Sequence, residues 1–176
     1  MMRKVEVVPH NPNWRVLFEI EANQIAIALA KNVTAIHHIG STSIETIYAK
    51  PIIDILVTVK LISKVDNHNS QMQSLGYQYM GEFGIRGRRF FLKDNMAKVR
   101  THHVHVFETD SPQVKRHLAF RDYLNAHLEQ AQAYSILKQS LVEKYPHDIE
   151  QYMDGKDGFI QEIDRKAAEW QKRQPL

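Results

Sequence analysis

The stretch Ile39-Gly40-Ser41-Thr42-Ser43, followed by Pro51-Ile52-Ile53-Asp54-Ile55-Leu56-Val57-Thr58-Val59, decides the fold. The first part reads as a strand running into glycine, then hydroxyl residues, then a helix start. Glycine lets a backbone approach a ligand closely. The N–H groups that follow, with a helix N-terminus, favour an anion, and hydroxyls add further donors. The same residues also read as a capped turn with Ser or Thr as the N-cap. The second part is a nearly continuous apolar run rich in β-branched residues, the pattern of a strand buried on both faces. Asp54 interrupts it. An unpaired buried carboxylate is costly, so Asp54 must meet a cation, a metal or several donors. A structural pair with Lys50 is one solution, and the apolar context favours a functional one.

Working outward, residues 5–8 and 34–39 read as strands. Asn11-Pro12 between them reads as a helix start, with Asn as the cap and Pro at the first helical position. Trp14, Phe18, Ile25 and Leu29 recur at helical spacing, so the first helix runs to about Ala30. Residues 44–48 read as a short helix, and residues 63–75 as a second amphipathic one. Residues 77–81, 88–93 and 102–107 read as three strands, antiparallel neighbours separated by turn residues. Ser111-Pro112 starts a helical remainder. Tyr134, Leu137, Leu141 and Tyr145 form one apolar stripe, ended by Pro146. Ile160, Ile163, Ala167 and Trp170 form another, beginning after Gly158. The expectation is one α+β domain over residues 1–176, with a mixed β-sheet, helices on one face and a C-terminal helical segment.

The composition suits that reading. Of 176 residues, 43% are hydrophobic and 24% charged, and no cysteine is present, which excludes disulfides, thiolate zinc sites and a cysteine nucleophile. Met1-Met2-Arg3-Lys4 and the short apolar stretch after it do not make a signal peptide. No run approaches the ~20 apolar residues of a membrane span. These features predict a cytoplasmic protein without a membrane partner. Net charge is +3. Arg86, Arg88, Arg89, Lys93, Lys98 and Arg100 crowd one stretch, which reads either as a phosphate-attracting patch or as a solvated hairpin surface. The basic stretch is short and Phe90 and Phe91 read as core, so nucleic acid is not an expected partner. No oligomeric state follows from the residues.

Two further segments carry chemistry. In His102-His103-Val104-His105-Val106, strand alternation points His103 and His105 to one face and Val104 and Val106 to the other. Two histidines on one face can ligate a metal, pair with phosphate or act as acid and base. They also occur on solvated sheet faces. In Arg88-Arg89-Phe90-Phe91-Leu92-Lys93, Arg88 lies on one face and Arg89 and Lys93 on the other.

Several blocks together resemble the GrpB family. They are Asn11-Pro12-Asn13-Trp14, His38 to Ser43, Ala49-Lys50-Pro51-Ile52-Ile53-Asp54-Ile55, Thr101 to Val106, and His117-Leu118-Ala119-Phe120-Arg121-Asp122-Tyr123-Leu124. Tyr152, Lys156 and Phe159-Ile160 fit the C-terminal pattern. That family is similar to the nucleotidyltransferase superfamily, whose pattern is Gly-Ser, a short helix and a strand bearing two carboxylates with one residue between. The resemblance implies a nucleoside triphosphate or other phosphorylated small molecule held by Gly40, Ser41, Thr42, Ser43, Lys50, Arg88 and Arg89. It also implies Mg²⁺ or Mn²⁺ on Asp54, with His103 and His105 completing the metal and catalytic set. The acceptor stays open.

Two departures stand out. Leu56 occupies the place of the second carboxylate, and Ile52 stands on the other side. Two-metal transfer needs ligands for both ions, and His103, His105 and Glu108 are the nearest candidates. Ile44-Glu45-Thr46-Ile47 stands where the family has Pro-Gly before the apolar residue. The missing carboxylate suits an alternative reading, a non-catalytic module for a nucleotide or a coenzyme A-like phosphate ester. A related domain fused to dephospho-coenzyme A kinase in some bacteria agrees with it. A third reading takes Asp54, His103 and His105 as a two-histidine, one-carboxylate iron(II) site.

Overall fold

Asn11 caps the first helix as its side chain suggests: its Oδ1 accepts the Asn13 N–H at 2.9 Å. The computed structural model describes residues 4–175. Met1-Met2-Arg3, read above with the N-terminus, lie outside the described residues, as does Leu176. Helix α1 spans Asn13–Leu29, β1 Val33–Ile39 and β2 Ile53–Val59. A 3-10 turn over Ile62–His68 leads into α2, Asn69–Ser74. Strands β3 (Tyr77–Tyr79), β4 (Arg89–Asp94) and β5 (Arg100–Glu108) follow. Helices α3 (Pro112–Ala126), α4 (Leu128–Lys144) and α5 (Ile149–Lys172) complete the chain. No described helix is long and apolar enough to cross a membrane.

The five strands form one mixed sheet in the order β1-β2-β5-β4-β3. The β2–β5 pair is parallel, and the other pairs are antiparallel, β3, β4 and β5 among them. Alternation sorts the side chains. Ile53, Ile55, Val57 and Val59 of β2, with Val104 and Val106 of β5, meet Ile25 and Leu29 of α1 and Met72 of α2 in the main core. The C-terminal helices build a second core from Ala119, Tyr123, Leu124, Ala131, Tyr134, Ile163 and Ala167. The opposite sheet face, carrying Asp54 and the two histidines, lies toward these helices.

Three local expectations are corrected. Residues 5–8 form no strand beyond a single bridge from Val8 to Ala49. Val5 instead donates its N–H to Pro146 O at 2.8 Å and packs with Leu141 and Tyr152. Residues 44–48 are not a helix. Ile44 and Ile47 plug into the C-terminal helical core. The Glu45 N–H goes to Asn125 Oδ1 at 3.1 Å and the Tyr48 N–H to Ser135 Oγ at 2.9 Å, so side chains of α3 and α4 take the donors a helix would have used. The last helix starts at Ile149, well before Gly158, with Asp148 Oδ1 accepting the Gln151 N–H at 3.1 Å. Gly155 is not a stop signal: a Cβ there would collide with the Leu141 side chain of α4.

Thr46 sits at φ 77°, the left-handed region that glycine adopts without strain. A β-branched residue pays roughly 1–2 kcal/mol there, against about 0.5–1 kcal/mol for the extra freedom of an unfolded glycine. Thr46→Gly is therefore expected to raise the unfolding free energy by up to ~1 kcal/mol, read from chemical denaturation. A lowered midpoint would mean that the exposed Thr46 makes contacts worth more than the strain.

Candidate functional site

The register of β2 on β5 builds the site. Asp54 lies beside His103, and Leu56 beside His105, so all four face the same way. Asp54 Oδ1 is 3.4 Å from His103 Nδ1 and 3.3 Å from His105 Nε2. The three side chains are partly buried, at 27%, 25% and 14% exposure. Burial pushes the Asp54 carboxyl up, but the hydrogen bonds and electrostatic pull of His103 and His105 outweigh it and hold the group well below the usual carboxylate range. Gly40, at φ 72°, touches the same carboxylate. A Cβ on Gly40 would stand 2.5 Å from Asp54 Oδ2. The glycine of the Gly-Ser turn is thus required by Asp54 as well as by its own backbone.

Asp54, His103 and His105 each offer a ligand atom, and these atoms lie within 4.8 Å of one another. Two imidazole nitrogens beside one carboxylate oxygen suit Mn²⁺, which accepts nitrogen ligands, better than Mg²⁺, which wants oxygen throughout. The outer ring nitrogens add a condition. Arg100 Nη1 lies 3.4 Å from His103 Nε2, and Arg88 Nη1 3.3 Å from His105 Nδ1. A guanidinium only donates. In this arrangement the outer nitrogens accept, and the inner ones carry their protons toward Asp54. The residues fit a single ion once the imidazoles move their protons to the outer nitrogens and give up these long arginine contacts. They do not fit a pair of ions: Leu56 is fully buried with Ile39 and Phe107, and Ile85, Val114 and Leu118 close around them. Glu108 does not make up the loss. It pairs with Val59 at the far end of β5, and its Oε2 accepts the Ile62 N–H at 3.0 Å.

Beside Asp54 and His103 opens a cavity of about 190 Å³, lined also by Ser41, Lys50, Lys138, Lys156 and Tyr152. Lys138 comes from α4 and Lys156 from α5. Lys138 is 1% exposed, and among the described residues its Nζ has no hydrogen-bond partner, only the Tyr134 ring at 4.4 Å. Burial, then the charges of Lys156 and Lys50, push the Lys138 ammonium down to about 6. Burial and Lys50 push Lys156 down to about 8 against the pull of Asp54. Lys50 is lowered by burial too, with Asp54 opposing. Like charges gathered out of water are unfavourable, and a polyanion in the cavity would offset that cost.

The other residues singled out in the sequence lie elsewhere. Thr42 Oγ1 is 2.9 Å from His38 Nε2, and Ser43 Oγ donates to Gly40 O at 2.5 Å. Both line a separate cavity of about 770 Å³ on the far side of the turn, with His38 and Arg121. Of the hydroxyls, only Ser41 reaches the lysine cavity, because the 3-10 turn over Ser41–Ser43 rotates its neighbours away. Arg88 shares the His105 face but is buried and engaged, donating to Glu82 O at 3.1 Å and Phe83 O at 2.7 Å. It positions His105 and is not open to a phosphate. Arg89 faces the opposite side and pairs with Asp66 at 2.8 Å. Lys93 pairs with Glu21 and Arg100 with Asp94, at 2.8 and 2.6 Å, so much of the basic run is matched within the chain. Lys138, absent from the sequence-based set, is the deepest cation of the site.

A family model described as GrpB protein matches residues 4–166. The chain is 44% identical over 170 residues to UPF0157 protein YqkA of Bacillus subtilis (strain 168), covering 97% of this chain and 49% of that protein. It is 38% identical over 165 residues to glutamate-rich protein GrpB of Alkalihalophilus pseudofirmus, covering 91% and 94%. The chain therefore spans about half the length of the first relative and nearly all of the second. The crystal structure of conserved protein GrpB from Enterococcus faecalis matches with a TM-score of 0.91 at 42% identity, covering 96% of this chain and 100% of that one. Terminal uridylyl transferase 4 from Trypanosoma brucei, solved with bound dUTP, matches with a TM-score of 0.56 at 11% identity, covering 96% and 57%. That likeness is one of fold, and the fold is nucleotidyltransferase-like.

Proposed function

The chain belongs to the GrpB family, and from that footing we propose that it binds a nucleoside triphosphate with a divalent metal, as a nucleotidyltransferase-like protein. The observation that carries this reading is the unpaired, buried Lys138 in a cavity shared with Lys50, Lys156, Ser41 and Asp54. The lysines take the phosphates. Ser41 donates to a phosphate oxygen from the turn, and Tyr152, whose buried hydroxyl has no partner among the described residues, closes the cavity from α5. A Mn²⁺-type ion held by Asp54, with His103 and His105 after Arg100 and Arg88 release them, would neutralise charge on the phosphate oxygens. Arg88 and Arg100 keep the imidazoles oriented until then. Thr42, Ser43 and Arg89 take no part.

Calorimetric titration of the four ribonucleoside triphosphates, with and without MnCl₂, tests this on wild type and Asp54→Ala. The expected result is binding that Mn²⁺ strengthens, a strengthening that Asp54→Ala abolishes. Binding indifferent to both metal and Asp54 would reduce Asp54 to a structural role. A second reading, favoured by the apolar setting of Leu56, is that the same site binds a nucleotide or coenzyme A-like phosphate ester without turning it over. Pyrophosphate release on incubation of the pure protein with a nucleoside triphosphate would rule that reading out.

A further inference from the structure

The lysine cavity has a neighbour. A groove of about 670 Å³ shares the lining residues Lys50, Ile52 and His103 with it, so the two adjoin. That volume is in the range of small-molecule sites, roughly 300–1,000 Å³. Four segments wall it: the N-terminal residues around Val5, the loop at Pro51, the β4–β5 hairpin at Val99, and the start of α5 at Ile149. Val99 and Ile149 are 52% and 48% exposed, and neither joins a core cluster. Arg100, His147, Glu6 and Glu150 stand among these apolar side chains. An acyl chain wants an unbroken apolar lining. A heteroaromatic base and its sugar want apolar walls for the ring faces with donors and acceptors at the edges.

Resting on the phosphate reading of the lysine cavity, we propose that this groove takes the nucleoside of the ligand, so that the protein selects a nucleotide over inorganic polyphosphate. The phosphates enter at Lys50 and His103 and run inward to Lys138, while the base lies outward between Val99 and Ile149. Selectivity then resides in two exposed apolar side chains of the hairpin and the helix start, away from Asp54.

The test is a parallel titration of sodium tripolyphosphate and the four ribonucleoside triphosphates into wild type and the double variant Val99→Ser, Ile149→Ser. Both substitutions are neutral, so they add no repulsion, and both positions are half-exposed, so the fold tolerates them. Wild type is expected to bind at least one nucleotide tenfold or more tighter than tripolyphosphate. The double variant is expected to lose that preference while keeping tripolyphosphate affinity within twofold. Equal affinity of wild type for tripolyphosphate and every nucleotide would overturn the groove assignment and leave the lysine cavity standing. So would an unchanged nucleotide preference in the double variant, or an equal loss for both ligands. Failure of wild type to bind any of the five would remove the phosphate reading and the groove assignment with it.

Discussion

Gly40→Ala is expected to lower the unfolding free energy by about 3 kcal/mol, the sum of a left-handed backbone penalty and overpacking, and to abolish metal-dependent nucleotide binding. The two effects share one cause. At φ 72° an alanine is strained, and its Cβ would meet Asp54 Oδ2 at 2.5 Å and Asp54 Cβ at 2.9 Å. Asp54 cannot retreat, because β2 is held between β1 and β5. Turning its side chain away would break the contacts to His103 and His105 that keep the carboxylate ionised. Chemical denaturation gives the first effect and calorimetry the second. A variant with a wild-type midpoint would mean that Gly40 and Asp54 are not in contact in solution.

Lys138→Met is expected to stabilise the fold while weakening the hold on the ligand. Methionine fills a similar volume, and an amine without a partner no longer has to be buried. The effect depends on pH. The Lys138 ammonium has an ordinary value of 10.5 and about 6 in the folded protein. Between those values the unfolded chain holds a proton that the folded one lacks. Wild-type stability therefore rises with pH across that window, by up to ~1.4 kcal/mol per pH unit. The advantage of Lys138→Met is greatest near pH 6 and shrinks as pH rises. Binding a polyphosphate favours the ammonium form, so at pH 7.5 wild type should take up a proton on binding, seen as a heat that varies with the buffer. Lys138→Met should show no such uptake and lose roughly 10–100-fold in affinity, the worth of one hydrogen bond to a charged group. Denaturation curves for wild type and variant that run parallel from pH 6 to 9 would contradict the buried amine.

Most of the sheet is legible in the sequence because its strands carry strong alternation. Val104 and Val106 against His103 and His105, and the β-branched run around Asp54, each assign their faces without tertiary information. Helix ends are less legible where a residue serves two purposes. Gly158 reads as the start of the last helix, but α5 begins at Ile149 and runs through it, and Gly155 within the helix lets α4 and α5 cross. Ile44 to Tyr48 carries helical spacing, but its donors go to Asn125 and Ser135, far along the chain. Asp54 stands out because it breaks an apolar run. Lys138 leaves the same mark more faintly. Tyr134, Lys138, Leu141 and Tyr145 are spaced as one helical stripe, so the lysine sits where a core residue belongs. Tyr152, Lys156 and Ile163 repeat the pattern on α5. That the two lysines meet Lys50 depends on how α4 and α5 lie over the sheet, which no local spacing encodes.

The most direct measurement is a two-dimensional NMR titration of the ¹⁵N-labelled protein with sodium tripolyphosphate. The shifted amides are expected to gather at Ser41, Lys50, His103, Lys138 and Lys156, around the cavity beside Asp54. Shifts gathered instead at His38, Thr42, Ser43 and Arg121, around the cavity on the far side of the turn, would contradict that placement.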